Sequence, residues 1–202
     1  MSQFIVLEGI DGAGTTTQLA HLSGYLEGLG VHNHTTREPT TGPIGRIIRE
    51  TLQAKEGAPT RATLPWLFAA DRADHLHREI FPALANGTWV LSDRYFHSSL
   101  AYQSLDLPLE DVLALNGQFP APDLTIFLDL DPDTALARIN ARQGTREIYE
   151  HKDLLERIAH QYTVVNRRLQ ERGDHIVILD GAQPIASVSA AIEETVAPLL
   201  SS

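Results

Sequence analysis

Apolar residues in this chain fall into short β-branched runs, separated by longer stretches in which they recur every three or four positions. Five runs, Phe4–Glu8, Val31–Thr35, Thr88–Ser92, Leu124–Leu128 and His175–Leu179, have the length and continuous apolar character of buried parallel strands. Val31–Thr35 is the most polar and is expected in a less buried position. Leu19, Leu22, Leu26 and Leu29 keep helical spacing, and Gly30 stands where a left-handed residue would end that helix. Thr63–Ile80 predicts a second long helix. Asp131 before Pro132 predicts an N-cap and a first-turn proline, opening a helix through about Ala141. Asp153–Arg172, closed by Gly173, and Ile185–Ala197 predict two more. Strands alternating with helices imply an α/β fold, with a five-stranded parallel sheet and helices on both faces. Such sheets bind ligands at the carboxyl ends of their strands, so chemistry is expected there.

No repeat, low-complexity tract or linker divides the sequence, and 202 residues suffice for one sizeable core, so residues 1–202 are expected to form a single domain. No stretch has the apolar length of a membrane span, so no membrane partner is expected. Met1–Gln3 lead straight into Phe4–Leu7 without a charged leader, which predicts a cytoplasmic protein. There is no cysteine, so disulfides and thiolate metal sites are excluded. A net charge of −10 argues against nucleic acid as a partner, because the phosphate backbone selects a basic footprint. Only two of the 16 basic residues, Lys55 and Lys152, are lysine. Arginine forks onto phosphate and carboxylate where lysine acts as a point charge, so an acidic chain with arginine clusters suits a small anionic ligand. Codon bias and a solvated surface account for much of that excess equally well. The nine histidines show no metal-ligand spacing and read as surface or packing residues.

The first strand runs into Gly9-Ile10-Asp11-Gly12-Ala13-Gly14-Thr15-Thr16-Thr17 and then into the Leu19 helix. Strand, glycine-rich turn and helix is the order of a Walker A phosphate loop. The glycines allow backbone N–H groups to close around phosphate oxygens, and the helix start adds its positive end. Thr16 falls at the hydroxyl position that ligates Mg²⁺. Thr15 stands where the motif requires the lysine that reaches the β- and γ-phosphates. Further on, Asp93 follows the third strand, where an acid holds Mg²⁺ directly or through water, and Arg94 beside it could fork onto a phosphate. An isolated Asp-Arg pair is more often a surface ion pair; its place after a parallel strand favours the phosphate reading. Arg37-Glu38-Pro39-Thr40-Thr41-Gly42 forms a turn after the second strand and sends Arg37 toward the same crevice.

These pieces, taken in order, resemble the thymidylate kinases, which phosphorylate dTMP to dTDP. The matching segments are Leu7–Gly14, Arg37-Glu38-Pro39, Leu67-Phe68-Ala69-Ala70-Asp71-Arg72, Ser92-Asp93-Arg94-Tyr95 with Ser98-Ser99 and Ala101-Tyr102-Gln103, and Asp180-Gly181-Ala182-Gln183. The resemblance covers essentially the whole chain. It implies a P-loop nucleoside-monophosphate-kinase fold, dTMP and ATP as small-molecule substrates, Mg²⁺ as cofactor and a homodimer with Trp66 as a contact. It also implies roles for single residues. Phe68 would stack on thymine and Arg72, four residues on and hence on the same helix face, would hydrogen-bond its carbonyl oxygen. Phe68 by itself reads more readily as a core aromatic. Asp11 would approach the deoxyribose 3′-hydroxyl and the metal region, Tyr102 would crowd the 2′ carbon, and Ser99 would sit near the base edge. Arg37 and Arg94 would grip the 5′-phosphate of the acceptor.

A mobile lid is implied over about residues 138–150, with Arg142 and Arg146 as its catalytic candidates; a solvated helix end is the plainer reading of either. Ile148 stands before Tyr149-Glu150 where the family often has arginine. A lid arginine is expected to supply the charge that Thr15 lacks. Asp11, Arg94, Arg142 and Arg146 are thus the expected catalytic residues. Two other functions fit the same scaffold: a kinase for another nucleoside monophosphate, and a catalytically weak nucleotide-binding protein, which Thr15 favours.

Overall fold

A computed structural model of the chain describes residues 1–143 and 148–201. Its centre is strand β1 (Phe4–Glu8), every residue of which is buried. Burying each of its apolar side chains, Phe4 to Leu7, is worth roughly 1.5–3 kcal/mol, which suits a strand covered on both faces. The other strands are β2 (Asn33–Arg37), β3 (Trp89–Asp93), β4 (Leu124–Asp129) and β5 (Ile176–Asp180), giving a five-stranded parallel sheet in the order β2-β3-β1-β4-β5. Leu7 lies opposite Asp93 on one side and Ile126 on the other, and Arg37 lies opposite Asp93. The ends of β2, β3 and β1 therefore share one rim. The chain fills the β2–β3 side first and then crosses to β4, so a topological switch point opens beside the end of β1.

Around the sheet lie α1 (Thr15–Gly28), α2 (Pro43–Leu52), α3 (Leu64–His75), α4 (Phe81–Ala85), α5 (Phe96–Gln103), α6 (Leu109–Asn116), α7 (Pro132–Gln143), α8 (Ile148–Arg172) and α9 (Ile185–Val196). The predicted helix signals hold locally. Asp131 Oδ1 accepts the N–H of Thr134 at 2.9 Å and so caps α7. Gly30, at φ 76°, closes α1 with N–H groups returning from Gly30 to Glu27 and from Val31 to Leu26.

That same closure spends Val31, so β2 begins two residues later than its apolar pattern predicts. It is an edge strand with no fully buried residue, in keeping with its polarity. The second long helix also runs on past Ile80: α3 passes through a π-helical stretch at Leu76–Ile80 into α4. Helices α5 and α6 carry weak periodic signals, and α2 is short; polar or small residues sit among the buried positions of all three. The buried positions are Gly45, Ile48 and Thr51 in α2, and Val112 and Asn116 in α6. Those of α5 include His97 and Ser99. A Cβ on Gly45 would come within 1.9 Å of the Thr40 carbonyl oxygen, so only glycine permits that approach.

Candidate active site

The loop Gly9–Thr17 joins β1 to α1 at the switch point. Gly12 and Gly14 adopt φ values of 89° and 96°, which side chains rarely tolerate. At Gly12 there is also no room, since a Cβ would meet the Ala135 carbonyl oxygen at 2.7 Å. Helix α1 begins without a side-chain cap or an acidic residue in its first turn. Its leading N–H groups therefore remain available to an anion. Thr15 is buried, 7% exposed, so this loop carries no cation of its own.

Thr16 Oγ1 donates to Asp93 Oδ2 at 2.5 Å, which brings the two predicted metal-region groups together. The other carboxylate oxygen of Asp93 is buried and has no hydrogen-bond partner. An orphaned carboxylate oxygen beside a hydroxyl is the hard oxygen donor set that Mg²⁺ prefers. Both residues line a 350 Å³ cavity with Arg37, Thr40, Thr41 and Glu79, placing Arg37 in the crevice the sequence predicts.

Arg94 leaves β3 at φ 75°, an uncommon conformation for a side-chain-bearing residue and a frequent mark of a functional position. The turn aims its guanidinium at Asp11 Oδ1, 2.7 Å away, tying the strand end to the glycine loop. Ser98 Oγ and Tyr162 OH also accept from Arg94, at 2.9 and 3.2 Å, and the guanidinium lies 5.4 Å from the Tyr102 ring centre. Burial works against the charge on Arg94, but Tyr102, Tyr162, Asp11 and Glu8 hold its pKa well above the usual arginine value. Burial pushes Glu8 up, opposed by Arg94 and by hydrogen bonds from Ser98, Tyr95 and Tyr162. Burial raises the pKa of Tyr102 to about 12, against the nearby Arg94 guanidinium, which lowers it.

Arg72 is only 1% exposed. It donates to Ser99 Oγ at 3.0 Å and to Asn116 Oδ1, and its guanidinium lies 2.7 Å from Glu38 Oε2. This last contact is a charge pair rather than an aligned hydrogen bond, and the Nε–H of Arg72 has no acceptor. Phe68 is half-buried, one turn earlier on α3. Sequence reasoning placed Arg72 and Ser99 separately; the fold joins them, and adds Glu38 and Asn116, which it missed. Glu38 lies in a turn, and Asn116 is a polar residue at the end of a short, mainly apolar helix. His75 holds Glu38 from behind, with Nδ1 3.1 Å from Oε1. Asp71 fixes the turn by accepting from Thr40 N at 2.7 Å and Thr40 Oγ1 at 2.6 Å, next to a cis Glu38–Pro39 peptide.

On the other side of the glycine loop lies a 530 Å³ cavity lined by Gly12–Gly14, Thr17, Gln18, Arg138 and Gly181–Ile185. Arg138 and Gln18 carry no motif that singles them out, and Asp180–Gln183 was legible only as a resemblance. The side chain of Arg142 and the whole of Arg146 lie outside the described residues. No helix among the described residues is long and apolar enough to cross a membrane.

Sheet order, glycine loop and the Thr16–Asp93 pair define a P-loop nucleoside-monophosphate-kinase fold. A family model described as thymidylate kinase matches residues 7–192, and the chain belongs to that family. Among its relatives is a probable thymidylate kinase of Pyrobaculum calidifontis, 39% identical over 202 residues, covering 97% of this chain and 98% of that protein. A thymidylate kinase of Synechococcus sp. is 44% identical over 169 residues, covering 78% and 79%. A probable thymidylate kinase of Pyrococcus horikoshii is 41% identical over 165 residues, covering 79% and 80%.

Proposed function

We infer that the chain phosphorylates dTMP to dTDP using ATP and Mg²⁺. The observation that carries this reading is the contact chain linking the glycine loop to Arg72. Asp11 meets Arg94, Arg94 lies over Tyr102, and Ser99, on the same α5, meets Arg72.

Arg37 and Arg94 bind the acceptor phosphate, while Phe68 stacks on thymine and the free Nε–H of Arg72 faces its carbonyl. Asp11 approaches the 3′-hydroxyl, Ser99 orients Arg72, and Tyr102 occupies the space a 2′-hydroxyl would need. Residues Gly9–Thr17 cradle the donor phosphates, and the 530 Å³ cavity takes the donor base against Arg138. Thr16 and Asp93 hold Mg²⁺, which when bound screens the charge shared between donor phosphates. An acceptor-phosphate oxygen attacks the γ-phosphorus, the bond to the β-phosphate oxygen breaks, and ADP leaves. The acceptor oxygen is already anionic near neutral pH, so no general base is required. Positioning and electrostatic stabilisation carry the catalysis, with Arg94 and a lid arginine, Arg142 or Arg146, supplying the charge absent at Thr15.

This single kinase domain closes a lid over about residues 138–150 and works in the cytoplasm as a homodimer. Support for the dimer comes from Trp66, 59% exposed on α3 with exposed Ala70 one turn further on. The buried threonine at the lysine position favours a second reading, a nucleotide-binding protein with little turnover. ADP release measured with dTMP, dUMP, UMP and thymidine separates the possibilities. Release with dTMP above the others is expected; preference for another monophosphate would reassign the substrate, and release with none would leave the binding protein.

A further inference from the structure

Gln18 lies in the first turns of α1, just beyond the phosphate loop, and is buried. Both ends of its amide are used, and both lead to the same place. Nε2 donates to the Ile185 carbonyl oxygen at 3.0 Å, and Oε1 accepts from Ser189 Oγ at 2.8 Å. Ser189 Oγ also lies 3.0 Å from that Ile185 oxygen, so its single proton is shared between the two acceptors. Ile185 begins α9 and ends the Gly181–Ile185 wall of the 530 Å³ cavity. The wall's other end is secured separately. Gly181 N–H donates to the Asp129 carbonyl at 2.7 Å, and Asp180 accepts from Ala182 N at 2.8 Å and from Gln183 Nε2 at 2.6 Å.

We propose that Gln18 is a positioning residue for the donor base: it fixes the distance between the phosphate loop and the wall against which the base lies. This rests on the donor-site reading above. One rigid helix turn connects the N–H groups that would hold the phosphates to the amide that holds the wall. A nucleoside triphosphate touching both ends must span that fixed length, whereas a donor with no base touches one end only. Gln18 itself needs no contact with the nucleotide to act.

The test compares ATP with inorganic tripolyphosphate, which offers phosphates without a base, by calorimetric titration in the presence of Mg²⁺. Gln18→Leu fills similar volume and removes both hydrogen bonds. Gln18→Leu should weaken ATP binding about tenfold, as loss of one or two buried hydrogen bonds would, and leave tripolyphosphate affinity unchanged. Ser189→Ala leaves the amide in place without its orienting hydroxyl, and should shift ATP affinity the same way by about twofold to threefold. It also serves if Gln18→Leu does not fold. Equal weakening of both ligands would overturn the proposal, because Gln18 would then merely support the glycine loop. Unchanged ATP affinity in a folded variant would overturn it as well. If tripolyphosphate failed to displace ATP from the unaltered protein, the donor-site reading itself would fall, and this inference with it.

Discussion

The two halves of the crevice are built by opposite means. On the side proposed to take the acceptor, charged side chains are buried and paired within the protein itself. Arg72 lies among Glu38, Ser99 and Asn116, and His75 and Asp71 brace the turn behind. On the donor side the protein offers backbone N–H groups, positive-φ glycines and an open cavity, with a neutral, buried threonine at the lysine position. Reading a base by a few hydrogen bonds demands a donor held in place, since discrimination depends on which groups would be left unpaired. Stabilising a transferring phosphoryl group demands positive charge that arrives with closure and excludes water. One half is therefore preorganised, and in the proposed reading the lid arginines complete the other.

That contrast predicts different symptoms for damage on each side. The largest effect is expected at Arg72. Arg72→Ala strands Glu38 as a buried charge and should cost about 3–5 kcal/mol of stability, read by urea denaturation, together with base discrimination in the kinase assay. Glu38→Gln on top of it should recover much of the stability. If Arg72→Ala unfolded at the same denaturant concentration as the parent, the acceptor side would not be a prebuilt electrostatic unit.

Next come the lid arginines. Under the proposed lid reading, Arg142→Ala or Arg146→Ala should lower kcat by about a hundredfold or more. Full turnover in both variants would end the idea that the lid replaces the missing lysine.

A smaller effect is set by pH. Burial, with Arg72 and Arg172 nearby, pushes the pKa of His97 down from 6.5 to about 3. The unfolded chain takes up this proton near pH 6.5 and the folded one only near 3, so stability is lost as pH falls through that window. Between pH 7 and 5 this group should cost about 2 kcal/mol, and His97→Asn should lose correspondingly less on acidification. An identical pH slope in both proteins would show that His97 titrates normally in the fold.

The smallest change is expected for Thr15→Lys, with kcat altered by less than about tenfold in either direction. A rise of many orders of magnitude would mean that nothing compensates Thr15, and that the donor side as it stands is defective rather than awaiting its lid.

Much of the fold was legible because its signals are local. A run of β-branched residues, a glycine after a leucine stripe and an aspartate before a proline each act within a few residues. Four strands therefore lie within one residue of prediction. The fifth, β2, starts two residues late because Val31 is bonded back to Leu26 at the end of α1. The helices whose inner faces carry His97 or Asn116 have weak periodicity, because periodicity sees hydrophobicity and not burial. The site divides the same way. Asp93 and Arg94 at the end of β3, and Asp11 and Thr16 in the glycine loop and the helix start after β1, are candidates that their chain neighbours alone make legible. Asn116 and Gln18 matter through partners far along the sequence, and no local pattern marks them; Glu38 stands in a recognisable turn, but its pairing with Arg72 could not be read there.

By itself, then, the order of residues determined the alternation of elements, the glycine loop and the types of side chain at the rim, since these depend on short-range sterics and patterning. Only the tertiary structure determined which buried groups pair, because a hydrogen bond between Arg72 and Asn116 or between Gln18 and Ile185 exists only after the sheet has brought distant segments together. Folding removes water from such groups, and the partners that replace it are chosen by packing in three dimensions.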